Sequence, residues 1–460
     1  MIRQFMKLQT QVGLESVFAE YNTYLWEEYR LLACEKERVC ESFVQNNENR
    51  GMDSWFDTNF YQFAVKEMEL EGYTRLTDGD GKAYIQAAAG YMEENMMYET
   101  ARKIYNYYEG MKEIQSNSKF DVSMIDKALK EMEKEVSVGS NGMLSTSISS
   151  TEEQPKEIDT QRLENYKKQK NLLDIIKALQ KKGILSLVIE DTSQLSEKEV
   201  DLTKLVSKRE LLESYNPKWE EPDWYDRVLF QQYILTYMSN YRENKNHSMA
   251  YEVEYLLGGK KSDIENMKAV VNQLLGMREA ANFLYLINNP AKVEEAHLLA
   301  LAIAGISVNP VVIEAVKLAV LSAWAFAESI LDVRTLLTGG KISLLKSDNT
   351  WTMDIEGISR IAEGYIKAEH CKDGLSYADY LGILLLFQKE NQVAKRGMDV
   401  QELTLRDKYG SESICLDEWI LDVEANVIYE YKPVFFSIES MLPHWNYEIS
   451  VRDSYEYRGP

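Results

Sequence analysis

The residues with the most chemical potential sit on one apolar stretch, Pro310–Leu337. Glu328 and Asp332 are one helical turn apart there, and Arg334 follows them. Two carboxylates at that spacing share a helix face and could bind a metal or act as an acid/base pair. The same pair also fits a polar stripe neutralised by a neighbouring cation, with Arg278 and Arg334 as candidate partners. Acidic pairs alone are unspecific, so the structural reading is preferred.

Other motifs fail in their details. Two Gly-Gly-Lys triplets suggest a phosphate loop. At Gly259-Lys260, however, Glu254 stands where the first glycine belongs and Lys261 where Ser or Thr belongs; at Gly340-Lys341 those places hold Thr335 and Ile342. Both triplets read instead as helix stops. Thr77-Asp78-Gly79-Asp80-Gly81 lacks the ligand spacing and closing Glu of a calcium loop and reads as a turn. Gly374–Ala378 lacks the last glycine of a nucleophile elbow, and Ser376 reads as a helix cap. Among His247, His297, His370 and His444, only His370 has a Cys beside it, Cys371, and adjacent side chains diverge on a helix. No catalytic, cofactor-binding or metal-binding residue is assigned, and no cofactor is expected.

The stretch carrying Glu328 and Asp332 reads as one long helix buried nearly all round, with Pro310 in its first turn and Gly339-Gly340 as its stop. At ~1.5 Å per residue it could cross a bilayer, but each charge at mid-bilayer would cost about 2.5–3.5 kcal/mol. Glu314, Lys317, Glu328 and Asp332 therefore exclude a span. Leu321 and Trp324 share their face, and Trp324 is expected to be buried.

Helices that dock on this one read at 226–241, 262–288, 290–305 and 377–390. Their short connections imply a bundle. An amphipathic helix covers 8–29, with a Leu14, Phe18, Tyr21, Leu25 stripe. Tyr29–Cys34 looks extended. Residues 53–70 fit strand or helix, 82–108 are helical, and a third helix covers 121–136. Ser137–Thr160 is rich in Ser, Thr and Gly and cannot offset its ordering entropy, so it reads as a flexible linker. Ile184–Ile189 is a buried strand or a helix end. After residue 412 the period becomes two: Cys415–Tyr431 reads as a hairpin turning at Glu424–Asn426, and Tyr447–Tyr457 as a last strand.

The fold class is α+β, predominantly helical, with a bundle around one buried helix and a small antiparallel sheet of N-terminal and C-terminal strands. The organisation is 1–136, an N-terminal helix, strand and helical segment; 137–160, a linker; 161–411, the bundle; and 412–460, strands packing back on the N-terminal part. A net charge of −22 over 460 residues argues against nucleic acid and against charge-driven docking on anionic lipid. Cys34, Cys40, Cys371 and Cys415 are too scattered for a disulfide framework. The first residues lack the apolar core of a signal peptide.

Two stretches carry a resemblance. They are KLQTQVGLESVFAEYNTYLWEEYRLL (7–32) and YEVEYLLGGKKSDIENMKAVVNQLLGMREAANFLYLINNPAK (251–292), the latter continued through 319–351 and 374–386. Together they resemble an uncharacterised domain-of-unknown-function family of Gram-positive bacteria whose genes lie beside Tad-type pilus genes, with a TadE/TadF-like N-terminal end. The resemblance implies a pilin-like N-terminal helix and protein partners of a Tad-type apparatus. It also implies a membrane anchor upstream of Met1, with the body on the extracytoplasmic face. The expected function is a non-enzymatic envelope component of such a pilus or secretion system. The alternatives are an enzyme assembled around Glu328, Asp332 and Arg334, or a soluble acidic adaptor for a basic partner.

Overall fold

A computed structural model describes residues 2–39, 41–43, 45, 63–118, 183–245, 247–304, 310–355, 357–358, 361, 366–431 and 447–457. The expected helix 121–136, the linker 137–160 and a further helix expected at 161–181, where the bundle begins, lie outside these residues, with Cys40 and His444. The chain forms two compact units: residues 1–105, 198–262 and 385–460 in one, and 106–197 and 263–384 in the other. The fold is α+β and predominantly helical.

The first unit contains the sheet. Strand β1 is Cys34–Glu35, β2 Phe63–Arg75, β3 Trp419–Tyr431 and β4 Tyr447–Glu456. All pairings are antiparallel, and β3 is central: β2 lies along one edge, β4 and the short β1 along the other. Residues 415–431 are therefore not a hairpin. Val423, Ala425, Val427 and Tyr429 alternate without a break on one buried face, so Glu424–Asn426 continues the strand and the pairing partners come from elsewhere. Tyr29–Cys34 supplies only the first residue of β1. The main partner is β2, which takes in the second half of the stretch 53–70 that fitted strand or helix and runs on to Arg75.

Helix α1 (Ile2–Phe18) lies on that apolar face. Met6, Leu14, Val17 and Phe18 pack with Val423, Val427, Tyr429 and Val451 in one core. Thr10 and Tyr429 share a hydrogen bond of 2.9 Å. The amphipathic stretch is two helices rather than one: α2 (Thr23–Tyr29) starts at Asn22, whose side chain accepts the Leu25 N–H at 2.9 Å. It stops at Arg30, whose left-handed backbone (φ 52°) lets its N–H reach the Trp26 carbonyl.

Three more helices complete this unit's core: α3 (Asp78–Glu93), α6 (Trp224–Tyr237) and α12 (Glu390–Tyr409). Between them in the chain come α4 (Tyr98–Ser118), α5 (Ile184–Val188), α7 (Glu252–Gly258), α8 (Asp263–Asn288), α9 (Pro290–Ala304), α10 (Pro310–Leu337) and α11 (Tyr377–Phe387). Tyr84, Tyr233 and Gln401 meet in a buried hydrogen-bond network. The irregular stretch 198–223 is tied down by charge. Arg209 grips Glu402 through two bonds of 2.7 and 2.8 Å and reaches Asp417 at 2.5 Å.

In the second unit α10 is the buried centre, packed by α8, α9 and α5. Ala319, Ser322, Ala323, Ala325 and Ala327 are buried along it, and such small residues let neighbouring helices approach closely. Ile184–Val188 is a short helix. Asn289 caps α9, with Pro290 following it, and Ser376 and Asp379 cap α11 reciprocally. Among the described residues no helix is long and apolar enough to cross a membrane.

Candidate functional site

The acidic pair of α10 is closed. Glu328 and Asp332 are both fully buried, and their partners are Lys346 and Arg278. Lys346 Nζ lies 2.6 Å from Glu328 Oε1 and 2.8 Å from Asp332 Oδ1. Arg278 Nε donates to Asp332 Oδ2 at 3.0 Å, and its Nη1 donates to the Ser343 and Leu344 carbonyls and to the Tyr380 hydroxyl. Glu328 also accepts the Thr352 and Met353 N–H groups. Two acids face two bases, so the cluster is neutral and highly bonded, as a buried charge must be.

The two carboxyls are pushed apart. Burial, and next the neighbouring Asp332, raise Glu328 above the usual carboxylate range. Burial also works against the Asp332 charge, but Arg278 and Lys346 outweigh it and hold that carboxyl below its ordinary value.

Arg334 does not join them. It donates to the Leu187 carbonyl at 2.7 Å and the Ile366 carbonyl at 2.9 Å, tying α5 and a loop to α10. Of the two expected partners Arg278 serves; the other cation is Lys346, which lies beyond the end of α10 and shares no spacing with the acids. Trp324 is fully buried, and its indole N–H donates to the Met353 carbonyl.

The remaining motifs have structural roles. Gly259 is the left-handed cap of α7, its N–H on the Tyr255 carbonyl. Gly339 (φ 91°) and the Gly340 N–H on the Thr335 carbonyl stop α10. Gly79, Asp80 and Gly81 all have positive φ and lead into α3, with the Asp80 carboxylate held by Lys395 and Asn391. His370 is not helical; its Nδ1 accepts the Lys341 N–H at 2.9 Å. Cys34, Cys371 and Cys415 are free thiols. Among the described residues no group of three or more His, Cys, Asp or Glu is placed to hold a metal.

What the sequence did not single out is a solvent-open groove of about 650 Å³ in the first unit, within the range of roughly 300–1,000 Å³ typical of ligand sites. Ala83, Ala87 and Gly90, spaced along α3, line it. Trp26 and Tyr91 also line it, ring centroids 5.8 Å apart and edge to face. Arg30 lies over the Trp26 ring and donates to the Trp26 carbonyl, which holds it in place. Trp219, a further lining residue, packs so closely on Gly79 that a Cβ there would meet the indole at 2.8 Å, and Lys82 covers its ring. Asp422 and Glu456, register partners on β3 and β4, complete the groove with Leu421 and Tyr457. Burial first, then Glu456, push Asp422 up against the pull of Thr74 and Lys218. Segments from six parts of the chain build this lining, so no local spacing could have marked it.

The architecture is thus a helical α+β protein with a closed ion cluster in one unit and a preformed groove in the other. The chain belongs to the family of unknown function DUF5702, whose model matches residues 162–431. No curated protein and no solved structure matches it.

Proposed function

We propose that the protein works by binding rather than by turnover, as a cell-envelope component of a Tad-type pilus or secretion system, in an accessory or minor pilin-like role. The observation that carries the binding reading is the groove. Its aromatic rings are fixed by stacking and hydrogen bonds, a preorganisation that lowers the cost of docking. The acids that could have run chemistry, Glu328 and Asp332, are consumed by Lys346 and Arg278 away from solvent. The envelope placement is supported by the resemblance of 7–32 and 251–351. A helix such as α1, with one side seated on an antiparallel sheet, also suits a chain that continues an anchor.

Deletion of the gene, with and without its Tad-like neighbours, tests this by scoring surface filaments. Loss or shortening of filaments, restored by the wild-type gene and not by a Trp219→Ala copy of equal abundance, is the expected result. Unchanged filaments, with a metabolite or metal co-purifying with the protein, would sink the reading in favour of an enzyme.

A further inference from the structure

We propose that the groove lined by Trp26, Tyr91, Trp219, Asp422 and Glu456 receives a cationic side chain, arginine or lysine, presented by a basic segment of a partner protein. This rests on the reading of the groove as a docking site and names the chemistry of its occupant.

The charges decide the sign. The two cations in the lining already have partners: Arg30 is on the Trp26 carbonyl and ring, and Lys218 lies 3.0 Å from Glu424. Of the acids, Asp422 is met only in part, by Lys218, and Glu456 by no cation of the lining. Asp422 and Glu456 face each other across the β3–β4 ladder, an arrangement that costs stability unless a cation comes between them. The Thr74 hydroxyl, on the strand beside Asp422, donates to the Lys218 carbonyl at 3.3 Å and accepts the Lys218 N–H at 2.8 Å. Glu456 is exposed and has no ion-pair partner among the described residues. The Glu220 carboxylate adds a third negative group, its backbone N–H being held by Gln86.

The rings decide the shape. A guanidinium or ammonium on a long aliphatic stem gains from stacking over Trp or Tyr while its head meets carboxylates. Trp26 and Trp219 already carry this protein's own cations, Arg30 and Lys82, so the incoming stem packs against Tyr91 and along Ala83, Ala87 and Gly90 of α3, where a Cβ on Gly90 would touch nothing within 4 Å. A chain carrying −22 also attracts basic segments at long range, which raises encounter rates at low salt.

The test titrates the full chain with acetyl-Gly-Arg-Gly-Arg-Gly-amide and with the same peptide carrying citrulline, which keeps the shape and removes the charge. Calorimetry reads the affinity at two salt concentrations. The arginine peptide is expected to bind roughly tenfold or more tightly than the citrulline one, and to weaken with salt. Glu456→Gln and the double change Asp422→Asn, Glu456→Gln should each weaken the arginine peptide and leave the citrulline peptide unchanged. Glu456→Gln alters only an exposed side chain, so it stays informative if the double variant fails to fold.

Equal affinity for the two peptides, wild-type affinity in Glu456→Gln, or no binding at millimolar peptide overturns the assignment. The filament assay separates the two readings. If Trp219→Ala abolishes filaments while the arginine peptide fails to bind, docking stands and the cation falls. If the peptide binds and gene deletion leaves filaments intact, the site stands and the envelope role falls.

Discussion

At the residue scale the strongest commitments are buried charges. Lys346 is nearly inaccessible and neutralises both Glu328 and Asp332. Truncating one member of such a cluster leaves an uncompensated charge, so Lys346→Met should destabilise by about 3–5 kcal/mol in urea unfolding. Adding Glu328→Gln should recover part of that loss; a second change that merely adds its own cost would show that the pair is not coupled. His247 gives a pH signature. Its Nδ1 lies 2.9 Å from the buried Glu252 and its Nε2 3.5 Å from Glu28, with the Tyr29 hydroxyl also alongside. Burial opposes its charge, but Glu252 and then Glu28 win, and the folded pKa lies above the ordinary imidazole value of about 6.5. A base with a raised folded pKa contributes stability that is complete below the unfolded pKa and is lost as pH rises through the folded one. The unfolding free energy should therefore fall as pH is raised from 6.5 through that higher value. His247→Gln should flatten the profile there; a wild-type slope in that variant would assign the pH dependence to other groups.

At the scale of elements, the sharpest test is the lead into α3. Gly79 has φ 63°, and its missing Cβ is what admits the Trp219 ring. Gly79→Ala therefore meets both left-handed strain and a collision with an indole, and should cost about 1–3 kcal/mol in thermal or urea melts. A neutral outcome would mean that Trp219 readily leaves its place on α3. Nothing in Thr77–Gly81 announced Trp219; the sequence there said only turn. Legibility follows the range of the forces. Helices with strong periodicity and local stop signals, α8 to α11, could be read from their own residues, because caps and glycines act within a turn. The burial of Trp324 and the pairing of Asp332 with Arg278 were also readable, since a charge on an apolar helix demands an answer. Its other answer, Lys346, was not readable, because only the fold brings the loop after α10 back over Glu328. Strand β3 misled for a related reason. Its alternation was plain, but alternation says nothing about partners, and β2 precedes it by more than three hundred residues. The groove was illegible throughout, since α2 and the residues after it, α3, residues 217–220 and the ends of three strands each contribute only a few side chains.

At the scale of the whole molecule, each compact unit is assembled from segments separated in sequence. This makes the family-matched segment, 162–431, a poor guide to what folds alone. It includes β3 yet omits β2 and β4, the strands on its two sides. It also omits α1, whose Met6, Leu14, Val17 and Phe18 cover the face bearing Val423, Val427 and Tyr429. A lone strand with an uncovered apolar face and two open edges has no stable monomeric state and invites pairing with other chains. Expressed by itself, the 162–431 piece should therefore show no hydrogen-exchange protection at 419–431 and should self-associate as its concentration rises. The full chain should protect the same amides strongly, because β3 is hydrogen-bonded on both sides. Adding the peptide 1–18 in trans should not rescue the fragment, since α1 covers a face and supplies no strand edge; restoring β2 and β4 in cis should. If residues 162–431 instead give a monomer in which 419–431 is protected, the helices of that segment cover β3 by themselves, and the N-terminal helix and flanking strands become additions to a finished core.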